Sequence, residues 1–169
     1  MAKRIFQAPN FTPAATNDTT ALTNATYMAL QGGSATQLLM VLEIMVTGNA
    51  GASAPTVLQW ARSSNVGTTP TALAAPNSDG PAHPSTAALA APPIPFVAAA
   101  AGPQRSAATT DARLDMGLNA FGGVKRWVAA PGAEWFILGN AASAGCSTLS
   151  SYNAGTPGAI NAHIEYEPY

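Results

Sequence analysis

The chain has 169 residues, a net charge of −1 and charged side chains at only 9% of positions, against roughly 25% in an average soluble protein. One domain of ordinary size fits this length, and two well-cored domains do not. At 47% hydrophobic residues, the composition excludes a wholly disordered chain, and the charge balance excludes a basic nucleic-acid binder. A folded chain of 17.0 kDa exposes roughly 7,700 Å², or about 500 Å² per charge, by mass scaling. Such a surface is poorly defended against association.

At the start, Met1-Ala2-Lys3-Arg4 has the charge of a signal-peptide leader. Gln7, Pro9, Asn10 and Pro13 then stand where an apolar segment would be required, so no export signal is expected and synthesis in a cytoplasm is. Residues 1–26 read as an extended N-terminal arm, and residues 27–169 as a single β-sandwich domain. From residue 8 to 26 the arm is rich in Thr, Asn, Ala and Pro, and its order needs a partner surface. Ile5 and Phe6 are its candidate interface anchors, buried in a neighbouring subunit, with Lys3 and Arg4 facing a carboxylate there. The competing reading adds this segment to the edge of its own sheet.

Residues 36–47 form the strongest apolar stretch. Leu38, Met40, Leu42, Ile44 and Val46 share one strand face, and Leu39, Val41 and Met45 lie beside Glu43 on the other. This predicts a strand buried on both faces. A helix is the rival, since Leu and Met are good helix formers, but Gly32-Gly33 and Gly48-Asn49 suit turns around a strand. Leu38–Val46 is less than half a membrane span, so no membrane partner is expected. Val57–Ser63 is a second strand. Residues 64–104 then hold eight prolines, a Pro/Ala-rich excursion incompatible with regular helix or a central strand. The alanine runs 87–91 and 98–101 are fenced by proline and are expected to be extended or turn-like. An irregular stretch of this length is usually functional or bound by a partner.

Beyond it, Leu114, Met116, Leu118 and Ala120 alternate with Arg113, Asp115, Gly117 and Asn119, a half-buried strand that ends at Gly122-Gly123. Val124–Ala129 and Glu134–Leu138 are expected to form a hairpin across Ala130-Pro131-Gly132-Ala133, with Arg126 paired to Glu134 across it. Thr148–Tyr152 gives a short strand. In the last strand Ile160, Ala162, Ile164 and Tyr166 alternate with Asn161, His163, Glu165 and Glu167. Short strands at this spacing predict an all-β fold, an antiparallel sandwich or jelly roll. Its expected core holds Leu38, Met40, Leu42, Ile44, Leu114, Met116, Leu118, Ile137, Leu138 and Ile164.

Catalytic signatures are absent from the sequence. Gly139 and Gly145 stand six apart, but no Lys-Ser/Thr follows, only Cys146-Ser147, so no phosphate cradle is present. No serine sits in a nucleophile elbow, and only His83 and His163 could serve a triad. The single cysteine, Cys146, can form no internal disulfide and has no basic neighbour in sequence to activate it; a small buried thiol is expected. His163, Glu165 and Glu167 share one strand face, as metal ligands on sandwich folds do. The likeliest convergent donors, Asp79 and His83, sit in the proline-rich excursion, so a solvated terminal strand is the favoured reading. Trp60, Trp127 and Trp135 are expected to be core or interface anchors, with a sugar platform as the alternative. No enzyme activity, cofactor or metal is expected.

The stretch Phe121-Gly122-Gly123-Val124-Lys125-Arg126-Trp127-Val128-Ala129-Ala130-Pro131-Gly132-Ala133-Glu134, with Ile137-Leu138-Gly139-Asn140, resembles small structural proteins encoded among the head genes of tailed bacteriophages. So does Gly158-Ala159-Ile160-Asn161-Ala162-His163-Ile164-Glu165. The likeness extends in pattern over roughly residues 38–167. It implies a capsid decoration (cement) protein of the virion, bound to the major capsid protein on the capsid surface as a homo-oligomer, with a homotrimer as the leading expectation. Sparse charge, an arm and a Pro/Ala excursion also suit a chain covered by neighbours. The alternatives are a carbohydrate-binding β-sandwich of a phage fibre or spike and, third, a metal-dependent cupin-like enzyme.

Overall fold

The computed structural model describes residues 5–9, 26–32, 37–63, 71–72, 94–97, 112–138, 146–151 and 159–168. Regular structure among them is all strand: β1 Phe6–Pro9, β2 Thr26–Gln31, β3 Leu38–Gly48, β4 Pro55–Ser63, β5 Thr71–Ala72, β6 Ile94–Val97, β7 Ala112–Asn119, β8 Val124–Val128, β9 Trp135–Leu138, β10 Cys146–Ser151 and β11 Ile160–Pro168. Two antiparallel sheets result. One runs β1-β11-β3-β8, with β9 also paired to β3, and the other runs β5-β6-β2-β10-β4-β7. The all-β expectation holds.

Both sheets contribute to one apolar cluster. Leu39, Val41, Ile44, Val46, Ile160, Ile164 and Tyr166 come from the first sheet, and Tyr27, Met28, Leu30, Leu58, Trp60, Met116 and Leu118 from the second. The last strand follows its sequence period throughout, with Ile160, Ala162, Ile164, Tyr166 and Pro168 buried and the residues between them half-buried. β2 was not foreseen. Its Tyr27, Met28, Ala29 and Leu30 are all buried, so it carries no alternation to read.

Strand β3 departs from the expected face. Against β11, Glu43 pairs with Glu165 and Val41 with Tyr166, which leaves Leu42 as the extra residue of a β-bulge. A bulge shifts the side-chain alternation by one. Leu39 and Val41 therefore face the core before it, and Ile44 and Val46 after it. Leu38 is 38% exposed and Leu42 half-buried, which corrects both core assignments, while Ile44, Met116, Leu118 and Ile164 are core as expected. Met40 is buried outside the main cluster, and Leu114 packs against it partly buried. Ile137 and Leu138 lie in β9, and their side chains are outside the described residues.

The pairing along β3 also corrects the expected hairpin. β8 pairs with Glu43–Thr47 and β9 with Leu38–Val41, both antiparallel to β3. The two strands thus lie end to end along one side of β3 and do not pair with each other. Between them Ala129 N–H donates to the Leu42 carbonyl at 2.8 Å, and Ala133 N–H to the Ala130 carbonyl at 2.8 Å. The turn, with Gly132 at φ 83°, steps out of the sheet edge and returns to the same line. An eleven-residue β3 is long enough to hold both short strands.

The proline-rich excursion contributes β5 and β6, and β6 is an interior strand between β5 and β2, contrary to expectation. Pro95 is paired with Leu30 of β2, while β5 pairs only with Phe96 and Val97, so at Pro95 the strand has a partner on one side only, as proline tolerates best. The remaining positions of 64–104, including both alanine runs, Asp79 and His83, lie outside the described residues.

Candidate functional site: the outer face and free edge of the first sheet

The arm anchors divide. Lys3 and Arg4 lie outside the described residues, and Ile5 is half-buried. Phe6 is 5% exposed and stacks on Tyr166, with ring centroids 5.8 Å apart at 18°. β1 pairs with β11 in register Phe6↔Tyr166 to Pro9↔His163, so residues 6–9 are an edge strand of their own sheet. Phe6 is therefore a core residue of its own chain. Removing residues 2–20 would also uncover Tyr166, so such a deletion reads stability together with attachment. Burial pushes the Tyr166 phenol well above its usual range.

A polar band crosses the outer face of this sheet. Glu165 stands between Gln7 on β1 and Glu43 on β3, a like-charge pair across adjacent strands. Each carboxylate has its own donor. Gln7 Nε2 donates to Glu165 Oε1 at 2.9 Å, and Arg126 Nε and one terminal guanidinium nitrogen donate to the two Glu43 oxygens, both at 2.7 Å. The expected Arg126–Glu134 pair is thus replaced by Arg126–Glu43, since β8 lies beside β3 and not β9. Paired forks of this kind are the strong form of ion pair. His163 Nε2 is 3.8 Å from Glu165 Oε1.

The Arg126 hydrogen bond holds the Glu43 carboxyl below its usual value against the opposing effect of burial, with further help from the charges of Arg126 and His163. A depressed carboxyl pKa stabilises the fold above the unfolded value, and that stabilisation fades as pH falls through the folded value. The melting temperature is therefore expected to drop on acidification through the carboxylate range, and Glu43→Gln to flatten that drop. A pH profile that the substitution leaves unaltered would contradict this role.

The row His163, Glu165 and Glu167 does share the outer face of β11, as expected, and is half-buried. Among the described residues no group of three or more His, Cys, Asp or Glu side chains could hold a metal ion. Trp60 is 1% exposed, a core residue. Trp127 and Trp135 stack on one another with centroids 4.1 Å apart at 19° and pack partly buried against the core. Among the described residues no helix is long and apolar enough to cross a membrane.

Sequence reasoning missed the edge of β8. Val124 is 62% exposed, Val128 54%, and the neighbouring Phe121 59%. The turn that presents them is built by Asn119. Its Oδ1 accepts from Ala54 N–H at 3.1 Å and Phe121 N–H at 3.0 Å, and its Nδ2 donates to Ser53 Oγ at 3.0 Å. Gly122, at φ 72°, supplies the left-handed step that such a turn requires. The valines were legible as strand residues, but their exposure depends on β8 ending the sheet, which only the pairing shows. No family model, curated protein or solved structure matches this chain.

Proposed function

We propose that the chain is a structural protein of a virion, a decoration or cement subunit that binds the outside of a tailed-phage head as an oligomer and stabilises the shell. Its two sheets are read as the layers of a β-sandwich or jelly roll, a rigid body suited to sitting on a shell. The observation that carries the reading is the set of exposed apolar residues on β8 and the turn before it, Val124, Val128 and Phe121, on a chain with charge at only 9% of positions. Exposed apolar clusters on a sparsely charged protein mark contact surfaces. The major capsid protein is the expected partner, with synthesis in the host cytoplasm and residence on the capsid surface.

Co-sedimentation with emptied heads assembled from the major shell protein of the same virus tests this. Saturable binding at a fixed ratio to shell subunits, and heads that resist heat better when coated, are the expected results. A chain that stays in the supernatant at saturating concentration overturns the reading. Selective binding on a glycan array would favour the sugar-binding alternative.

A further inference from the structure

Among the described residues the two sheets have five outermost strands, β1, β8 and β9 in the first and β5 and β7 in the second, and they are unequally protected. β1 and β9 are four residues long, β1 ending at Pro9, and β5 has two residues. β7 exposes Arg113, Asp115, Gly117 and Asn119, a polar row that discourages pairing. β8 has neither proline nor bulge, and its ladder runs in unbroken register with β3 from Val124 to Val128. Of its two charges, Lys125 is exposed, and Arg126 is drawn back across the sheet by both oxygens of Glu43. The valines on either side of it remain exposed.

We propose that the free edge of β8 pairs antiparallel with β8 of a second copy of this chain across a two-fold axis, with Arg126 opposite Arg126 of the partner subunit. The sequence Val124-Lys125-Arg126-Trp127-Val128 is self-complementary in that register. Val124 lies opposite the partner's Val128, an apolar pair on the outer face. Lys125 lies opposite the partner's Trp127 on the other face, where an ammonium over an indole is attractive. Both pairs occur twice. At the axis two arginines meet, a repulsive arrangement for free guanidinium groups, but each is already neutralised by its own Glu43. Counting outward, the exposed Phe121 comes opposite the partner's Pro131, in the turn that steps out between β8 and β9. A second copy is the occupant this pattern fits, since each feature finds its complement in the same five residues and their flanking turns.

This contact deepens the oligomer part of the proposed function and rests on that part alone. A strand paired antiparallel with its own copy closes two-fold, so dimeric contacts take the place of the three-fold arrangement that the resemblance implies. A five-residue edge is small beside standard interfaces, so the dimer is expected to be concentration-dependent.

Sedimentation velocity of the full chain and of Val124→Lys and Val128→Lys tests the surface. Each substitution places a like charge on an exposed position, so the fold should melt unchanged while the dimer dissociation constant rises at least about tenfold. Register is read in a Cys146→Ser background by mild oxidation. A mixture of Val124→Cys and Val128→Cys chains should cross-link far more than either alone, because only the mixture sets the two thiols opposite each other. Equal cross-linking in all three samples, a dimer indifferent to both lysines, or a monomer throughout would overturn the pairing. A trimer that both lysines leave intact would overturn it too while preserving the oligomer reading, and head binding is measured separately.

Discussion

Replacing Trp60 with alanine is expected to lower stability by about 3 to 5 kcal/mol, the range for emptying a large aromatic site in a core. Trp60 is 1% exposed and sits on β4 between β10 and β7, in register with Leu149 and Leu114. Its indole N–H has no hydrogen-bond partner among the described residues. The loss should therefore be one of volume and apolar contact, and Trp60→Phe should recover most of it. Chemical denaturation with tryptophan fluorescence from Trp127 and Trp135, the two indoles that remain, measures both variants. A loss below about 1 kcal/mol for the alanine would mean that the site is not a filled core position.

The second large effect is expected at Gly48, where strand β3 leaves the first sheet. A Cβ on Gly48 would overlap the Ala120 carbonyl oxygen and stand 2.7 Å from the Ala120 Cα, backbone that cannot swing aside. The same corner is tied by Gly48 N–H to the Gly123 carbonyl at 2.7 Å, Ala50 N–H to the Ala120 carbonyl at 2.9 Å and Asn49 N–H to the Ala159 carbonyl at 2.9 Å. Gly48→Ala should thus push β3 away from the turn between β7 and β8 and cost about 3 kcal/mol or more, at the upper end for overpacking. Gly51→Ala is the control, with nothing within 4 Å of its added carbon. Equal melting temperatures for the two variants would show that the corner gives way freely.

What could be read from the sequence was set by how locally each feature is encoded. β11 carries its period without interruption, so Ile160, Ala162, Ile164 and Tyr166 were legible as one inward face, and β7 likewise gave Met116 and Leu118. β3 has apolar residues on both faces, and no residue type in Leu38–Val46 announces a bulge. The shift at Leu42 comes from pairing with β11, a partner more than a hundred residues away. Misreading the β8–β9 hairpin has the same origin. Pro131-Gly132 favours a turn, and a turn is there, but whether the following strand folds back or carries on depends on the length of β3. β2 was hidden because a strand buried on both faces lacks alternation, and β6 because Pro95 argues against an interior strand unless its neighbour stops short.

The candidate surface was less legible than the core. Low charge pointed to association from composition alone, and the arm looked like its instrument because Ile5 and Phe6 stand in a polar stretch. Phe6 instead stacks on Tyr166 within its own chain, and the exposed apolar residues are on β8 and the turn before it. Edge status belongs to the assembled sheet: Val124 and Val128 have the sequence of any strand, and only the end position of β8 leaves them open. The Arg126–Glu43 fork is equally non-local, joining strands that no turn connects.

The central claim is that this sparsely charged surface is completed by other copies of the chain. Light scattering on the purified, unaltered protein, followed from low to high micromolar concentration, tests it most directly. The account predicts a mass that rises with concentration to a multiple of the 17.0 kDa chain, and that salt lowers little because the contact is mainly apolar and hydrogen-bonded. A uniform 17.0 kDa species at every concentration would contradict it.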